Sequence, residues 1–327
     1  MNKFNNLSFG GVLLGLFFLL ISNIFLLYSA PGSVSLAFDD SICHGFFTNL
    51  YVKYPLLSLG LAQIVIVFEA YWLNRIVNSL RFFGEITYLP FWLFIFFNAF
   101  FYAGHFLGEN QVMNGFMILT LRQVLRYPNQ DKISRYVPLN LGAFLAIAFI
   151  FSNKAWILFV FILFSFFSLG RFGRKDILQV LITLSCYALP MAFLTKWLNM
   201  DRSLLPQLSD IQLSTVLLLP SAPSFILVYL AYLLLFLGIF FPFPKEVYLY
   251  KVLSYFQSFL KISLILVVLI ILLFIPTFTN NFVLLSIPLS ILLSRILLIT
   301  QSKILFFLGF LTCIIGFLYP LAKQYFF

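Results

Sequence analysis

The chain is a string of apolar runs, each long enough to cross a bilayer, and its basic residues fall between those runs rather than inside them. The runs are about 17–25 residues long and recur from end to end; at about 1.5 Å rise per helical residue, that length covers the roughly 30 Å of a hydrocarbon core. Of 327 residues, 62% are hydrophobic and only 9% are charged, where a soluble domain carries about 25% charged residues. No stretch is charged enough to form a soluble domain. The sequence therefore predicts an all-α fold, a polytopic transmembrane helical bundle forming a single integral membrane domain over residues 1–327.

Eleven spans are predicted, at roughly 7–29, 56–76, 86–107, 111–127, 137–152, 154–170, 177–199, 222–242, 254–276, 281–299 and 304–322. The fifth and sixth are short enough to form a hairpin around Asn153 and Lys154. The first run follows Lys3 and ends at Tyr28-Ser29-Ala30. It is too long for the apolar region of about 7–15 residues in a signal peptide, so it reads as an uncleaved span.

Charge placement sets the orientation. With the N-terminus inside, fifteen basic residues fall on the cytoplasmic side, in clusters such as Arg122–Arg135 and Arg171–Lys175. Five fall outside: Lys53, Lys154, Lys196, Arg202 and Lys323. Retention of basic residues in cytoplasmic loops makes this an N-inside, C-outside arrangement. It also explains the net charge of +10, which therefore does not point to nucleic acid. The expected location is a bacterial cytoplasmic (inner) membrane, with the lipid bilayer as the first partner.

Two exoplasmic loops follow from this topology, 31–55 and 199–221. The second carries Pro206 and Pro220 around an amphipathic stretch, Leu208 to Leu213, suited to lie along the interface. Residues 222–327 supply the last four spans. No internal repeat stands out. Cys43, Cys186 and Cys313 are far apart and show neither metal-ligand spacing nor a disulfide framework. Nucleotide-binding glycine loops, metalloprotease histidine pairs and serine-hydrolase elbows are absent from the sequence.

With ten acidic residues in the chain, each can be weighed. Asp39 and Asp40 precede Cys43 and His44 in the first exoplasmic loop. Adjacent carboxylates near a histidine can act as a general base or hold a divalent cation, and they can also be simple solvated loop charges. Glu109 follows His105 and opens a helix, where a carboxylate favours the positive end of the helix dipole. The topology puts Asp39, Asp40, His44, His105 and Glu109 on one membrane face. Glu69 stands alone in mid-span, where an ionisable group costs about 3 kcal/mol and usually has a partner. Arg122 sits at a similar depth in the fourth span, so a Glu69–Arg122 structural pair is expected. No metal site is assigned.

The order of these features resembles the layout of C-type, polyprenyl-dependent glycosyltransferases over roughly the first two hundred residues. The matching features are the acidic pair Asp39-Asp40, the later acidic residue in Gly108-Glu109-Asn110-Gln111, the basic loop Arg122 to Arg135, and a helical hairpin from Gly142 to the basic turn Gly170-Arg171-Phe172-Gly173-Arg174. The resemblance implies a helical module over 1–200, a polyprenyl-phosphate lipid as partner, and Asp39, Asp40 and Glu109 as catalytic carboxylates, with His44 and His105 in support. It implies that Asp39 or Asp40 takes the acceptor proton or holds a divalent cation at the leaving phosphate, and that Lys53, Lys154, Lys196 and Arg202 are the cations available to that phosphate. The chain departs from the pattern in having no large exoplasmic domain after its last span. Across most of its length it is also similar to an uncharacterised family of inner-membrane proteins of Bacteroidetes-type bacteria. The leading expectation is thus an inner-membrane protein handling a lipid-linked sugar at the exoplasmic face. A non-catalytic subunit or assembly factor of an envelope, secretion or gliding complex, working with other membrane subunits, is the alternative, and a transporter is the second.

Overall fold

The computed structural model describes Phe17, Leu19 and residues 43–80, 82–83, 86–100, 107–126, 136–152, 155–169, 173–197, 284 and 286–300. Among the described residues the chain is all helical, with no strand. The helices are α1 (His44–Lys53), α2 (Pro55–Ser79), α3 (Leu89–Phe100), α4 (Glu109–Arg126), α5 (Tyr136–Phe151), α6 (Ala155–Leu169), α7 (Arg174–Trp197) and α8 (Ser286–Thr300). Seven of them fall on seven of the predicted apolar runs. The runs at 7–29 (apart from Phe17 and Leu19), 222–242, 254–276 and 304–322, and the amphipathic stretch in 201–221, lie outside the described residues.

Helix α1 is a departure from the sequence reading, which treats 31–55 as loop. Its ten residues are too short for a span, but Phe47 buries fully and packs on Phe151 of α5, with ring centroids 6.5 Å apart. The break after α1 has a local cause. Pro55 opens α2, and the residue before a proline is pushed out of helical backbone. Tyr54 accordingly sits at φ −136°, ψ 64°.

Helix α2 has 25 residues and is long and apolar enough to cross a membrane. Unlike a helix on the surface of a soluble protein, it is apolar on its outer side as well as its inner one. Leu57, Leu61, Ile64, Phe68 and Tyr71, three or four residues apart, form an exposed apolar stripe, while Ser58, Gln63, Glu69 and Asn74 are buried. A tight turn returns the chain from α2 to α3. There the Asn78 side chain donates to the Thr87 carbonyl (2.9 Å) and accepts from the Thr87 N–H (3.1 Å). The Thr87 hydroxyl then accepts from the Leu89 N–H (3.3 Å), which is why α3 starts at Leu89 and not at the predicted 86.

Three contacts fix α4 alongside α2. The Leu107 N–H donates to the Ser58 hydroxyl and carbonyl (3.2 and 3.3 Å). Lower down, Gly115 faces the Glu69 carboxyl. Below that, the Arg122 guanidinium lies 5.7 Å from the centre of the Trp72 ring. Because residue numbers rise together on both sides, the two helices run parallel.

Helix α5 packs on α4 through Phe116, which meets Phe144 and Phe151 at 6.5 and 6.3 Å. Helices α5 and α7 meet at Gly142, where a Cβ would stand 2.7 Å from the Thr183 Cβ and 2.8 Å from the Val180 carbonyl oxygen. Helix α8, distant in sequence, packs on α3. Its fully buried Ser286, Ser290 and Ser294 repeat every fourth residue. Two of these hydroxyls bond within the helix, to Ile287 O (2.8 Å) and Ser290 O (2.6 Å), so these small residues permit close packing without a loose donor.

Two variants test this architecture. Asn78→Ala removes both side-chain bonds across the α2–α3 turn and is expected to cost about 1–3 kcal/mol. Gly142→Ala forces a methyl group into backbone and Thr183 and is expected to cost about 1–3 kcal/mol. Thermal unfolding in mild detergent should show lower midpoints for both, and an unchanged midpoint for Gly142→Ala would contradict the α5–α7 contact.

Candidate functional site

The start of α4 is built by reciprocal bonding. Gly108 precedes the helix, and its N–H donates to the Gln111 side-chain oxygen at 2.7 Å in a buried setting. Gln111 stands three residues on, where a side chain can reach back to satisfy the N–H that the helix leaves open. The bonds from Leu107 N–H to Ser58 clamp the preceding residue onto α2. Glu109 is thereby held as the first residue of α4, only 4% exposed, at the positive end of the helix dipole.

The end of the first loop arrives at the same place. Cys43 precedes α1, and its carbonyl accepts from Phe46 and Phe47 N–H at 3.0 and 3.1 Å. Phe47 touches Phe151, and Phe151 touches Phe116 of α4. This aromatic chain sets α1 against the N-terminal part of α4. Burial pushes the Cys43 thiol up from its ordinary value, and the Glu109 carboxylate pushes it further in the same direction. Both causes disfavour the thiolate.

The sequence-predicted site residues divide as follows. Asp39, Asp40 and His105 lie outside the described residues. His44 is the first residue of α1. Glu109 opens α4 as expected, and the structure brings it to Cys43. Glu69 is buried in the middle of α2, 4% exposed. Its expected hydrogen-bonded partnership with Arg122 is not formed. Both Glu69 carboxyl oxygens are without a hydrogen-bond partner, and Arg122 sits over Trp72 instead. Equal depth along two helices does not by itself put two side chains at the same point of the interface.

Cys43, Ser58 and Gln111 complete the region and were not picked out by the sequence reading. The spacing of Gln111 from Gly108 carries a capping signal, whereas the Cys43 and Ser58 contacts join distant parts of the chain and leave no local trace. Among the described residues no group of three or more His, Cys, Asp or Glu side chains comes together to hold a metal ion.

The described residues thus define an all-helical protein with a buried carboxylate at a helix start and a second in mid-helix. The chain belongs to a family of unknown function, DUF6427, whose model matches residues 34–326. No curated protein matches the chain, and no solved structure does.

The charge contact between Glu109 and Cys43 has a direct consequence. In a Cys186→Ser, Cys313→Ser background, maleimide labelling of Cys43 should rise with pH through a midpoint above that of an ordinary thiol. Glu109→Gln removes the negative charge and should bring that midpoint down. Superimposable pH profiles for the two proteins would show that Glu109 does not act on Cys43.

Proposed function

We propose that the protein is a multi-pass inner-membrane protein, N-inside and C-outside, that handles a lipid-linked sugar at its exoplasmic face. The observation that carries the reading is the meeting of the first loop with the start of α4, seen in the charge of Glu109 acting on Cys43. Asp39 and Asp40 lie just before Cys43 in sequence.

The membrane placement has its own support in α2. At about 1.5 Å per residue, 25 helical residues span about 37 Å, more than the roughly 30 Å of hydrocarbon. The exposed stripe from Leu57 to Tyr71 is suited to lipid, and Ser58, Gln63, Glu69 and Asn74 of the same helix turn away from it. The fifteen-to-five distribution of basic residues supplies the orientation.

Chemically, a carboxylate such as Glu109 accepts hydrogen bonds from sugar or acceptor hydroxyls. Its burial strengthens such bonds by removing competing water. Asp39 or Asp40 serves as the base that takes the acceptor proton. Among the described residues nothing supports a resident metal at this point.

Native mass spectrometry of the full chain, released from mild detergent, tests the reading with a polyprenyl-phosphate-linked sugar and with phosphatidylglycerol. Selective retention of the sugar lipid is expected, weakened about tenfold in Glu109→Gln, in line with about 1.5–3 kcal/mol for a hydrogen bond to a charged group. Equal retention of the two lipids, or a Glu109→Gln protein that binds the sugar lipid as well as the parent, would refute the site.

A further inference from the structure

Glu69 is not accounted for by the exoplasmic site. It lies in the middle of α2, buried, with neither carboxyl oxygen hydrogen-bonded. The α4 residue across from it is Gly115, and a Cβ there would come within 3.2 Å of the Glu69 Oε1. Any other residue at 115 would crowd the carboxyl, so the glycine leaves it room. A buried carboxyl at this depth ordinarily has a partner, and one that lacks it marks a functional position.

The surroundings give that position a direction. On α2, Ser58 and Glu69 are eleven residues apart, about three turns, and so share one line of the helix surface. On α4, Gln111 stands one turn before Gly115, and Arg122 lies two turns beyond it. The α2–α4 contact therefore carries polar groups at successive levels: Ser58 with Leu107, then Gln111, then Glu69 at Gly115, then Arg122 over Trp72. Glu109, at the start of α4, is about 9 Å above Gly115 at helical rise.

We propose that Glu69 is a proton-binding site in the core of the α2–α4 contact, exchanging its proton with the face that carries Glu109. The ligand is a proton because a carboxyl oxygen needs no further ligand to hold one, whereas a metal cation needs several converging oxygens. On the helices packed against α2, the titratable and charged side chains are Glu109, Arg122 and Arg126 of α4 and His44, Tyr51 and Lys53 of α1, while α3 carries none. Tyr71 and Arg75 belong to α2 itself. Arg122 is engaged with Trp72 one turn from Glu69, and Arg75 is exposed. This site is independent of the sugar-lipid reading and stands if that reading fails.

Carbodiimide modification tests it in the full-length protein, because the reagent attacks the protonated carboxyl and leaves a stable acylurea that peptide mass analysis locates. The expected result is an adduct on Glu69 whose yield falls about tenfold per pH unit above a midpoint and does not respond to sodium at fixed pH. Glu69→Gln should abolish it. Gly115→Ala, which fills the space beside the carboxyl, should reduce it several-fold at unchanged thermal stability. An adduct with the same yield across the whole pH range would identify an inert buried acid and overturn the proposal. Suppression by sodium would overturn it in favour of a metal-cation site, and complete absence of an adduct would show that the carboxyl does not hold an exchangeable proton.

Discussion

The parallel contact of α2 with α4 is the constraint on which the rest of the described structure depends. Helix α2 has an apolar outer stripe and polar residues within, so the polar side must be met by a helix that can approach closely and satisfy or tolerate those groups. Helix α4 does so at Gly115, where an added Cβ would stand 3.2 Å from the Glu69 Oε1. The bonds from Leu107 to Ser58 and the stacking of Arg122 on Trp72 set the register at either side of that point. Once the register is set, the start of α4 has one place to be, and the aromatic chain Phe47, Phe151 and Phe116 draws α1 and Cys43 to it. The candidate site is thus a product of interhelical packing more than of any local motif.

This explains what the sequence could and could not reveal. Apolar runs are a property of contiguous residues, and seven of them reappear as helices with ends shifted by a few residues. The shifts come from capping: the Thr87 hydroxyl holds the start of α3 at Leu89, and Gln111 holds the start of α4 at Glu109. Helix α1 escaped notice because ten residues are too few for a span, and its buried Phe47 packs on α5 more than a hundred residues away. Glu109 as a helix opener was legible from its neighbours. The contact with Cys43 was not, since nothing in either segment encodes the other. The Glu69–Arg122 pairing was read from depth alone. Depth along a helix can be counted from the ends of a run, but the rotation that brings Arg122 to Trp72 is decided by packing.

Helix α8 shows the same division. Serines at 286, 290 and 294 form a small-residue line that is visible in sequence, and such lines mark close helix contacts. Which helix they serve is not visible, because α3 lies almost two hundred residues earlier. Gly142 behaves alike. It reads locally as the lead residue of a hairpin with the helix that follows, yet its close contact is with Val180 and Thr183 on α7.

The two buried carboxyls, equal in exposure, differ in what holds them. Glu109 sits at the positive end of a helix whose start is clamped by Ser58 and closed by Gln111. Its charge is felt by the Cys43 thiol. Glu69 has no helix end, and its oxygens lie against the backbone of Gly115 without a well-formed hydrogen bond. One helix contact thus carries one carboxyl at its rim, held at a helix start, and a second in its depth. An arrangement built for rigidity alone would have placed an apolar side chain at position 69, since replacing an unsatisfied buried acid by a packed hydrocarbon removes a desolvation cost and loses no bond. An acid at that position, opposite a glycine that leaves room beside the carboxyl, suits a site for exchange better than a purely structural core.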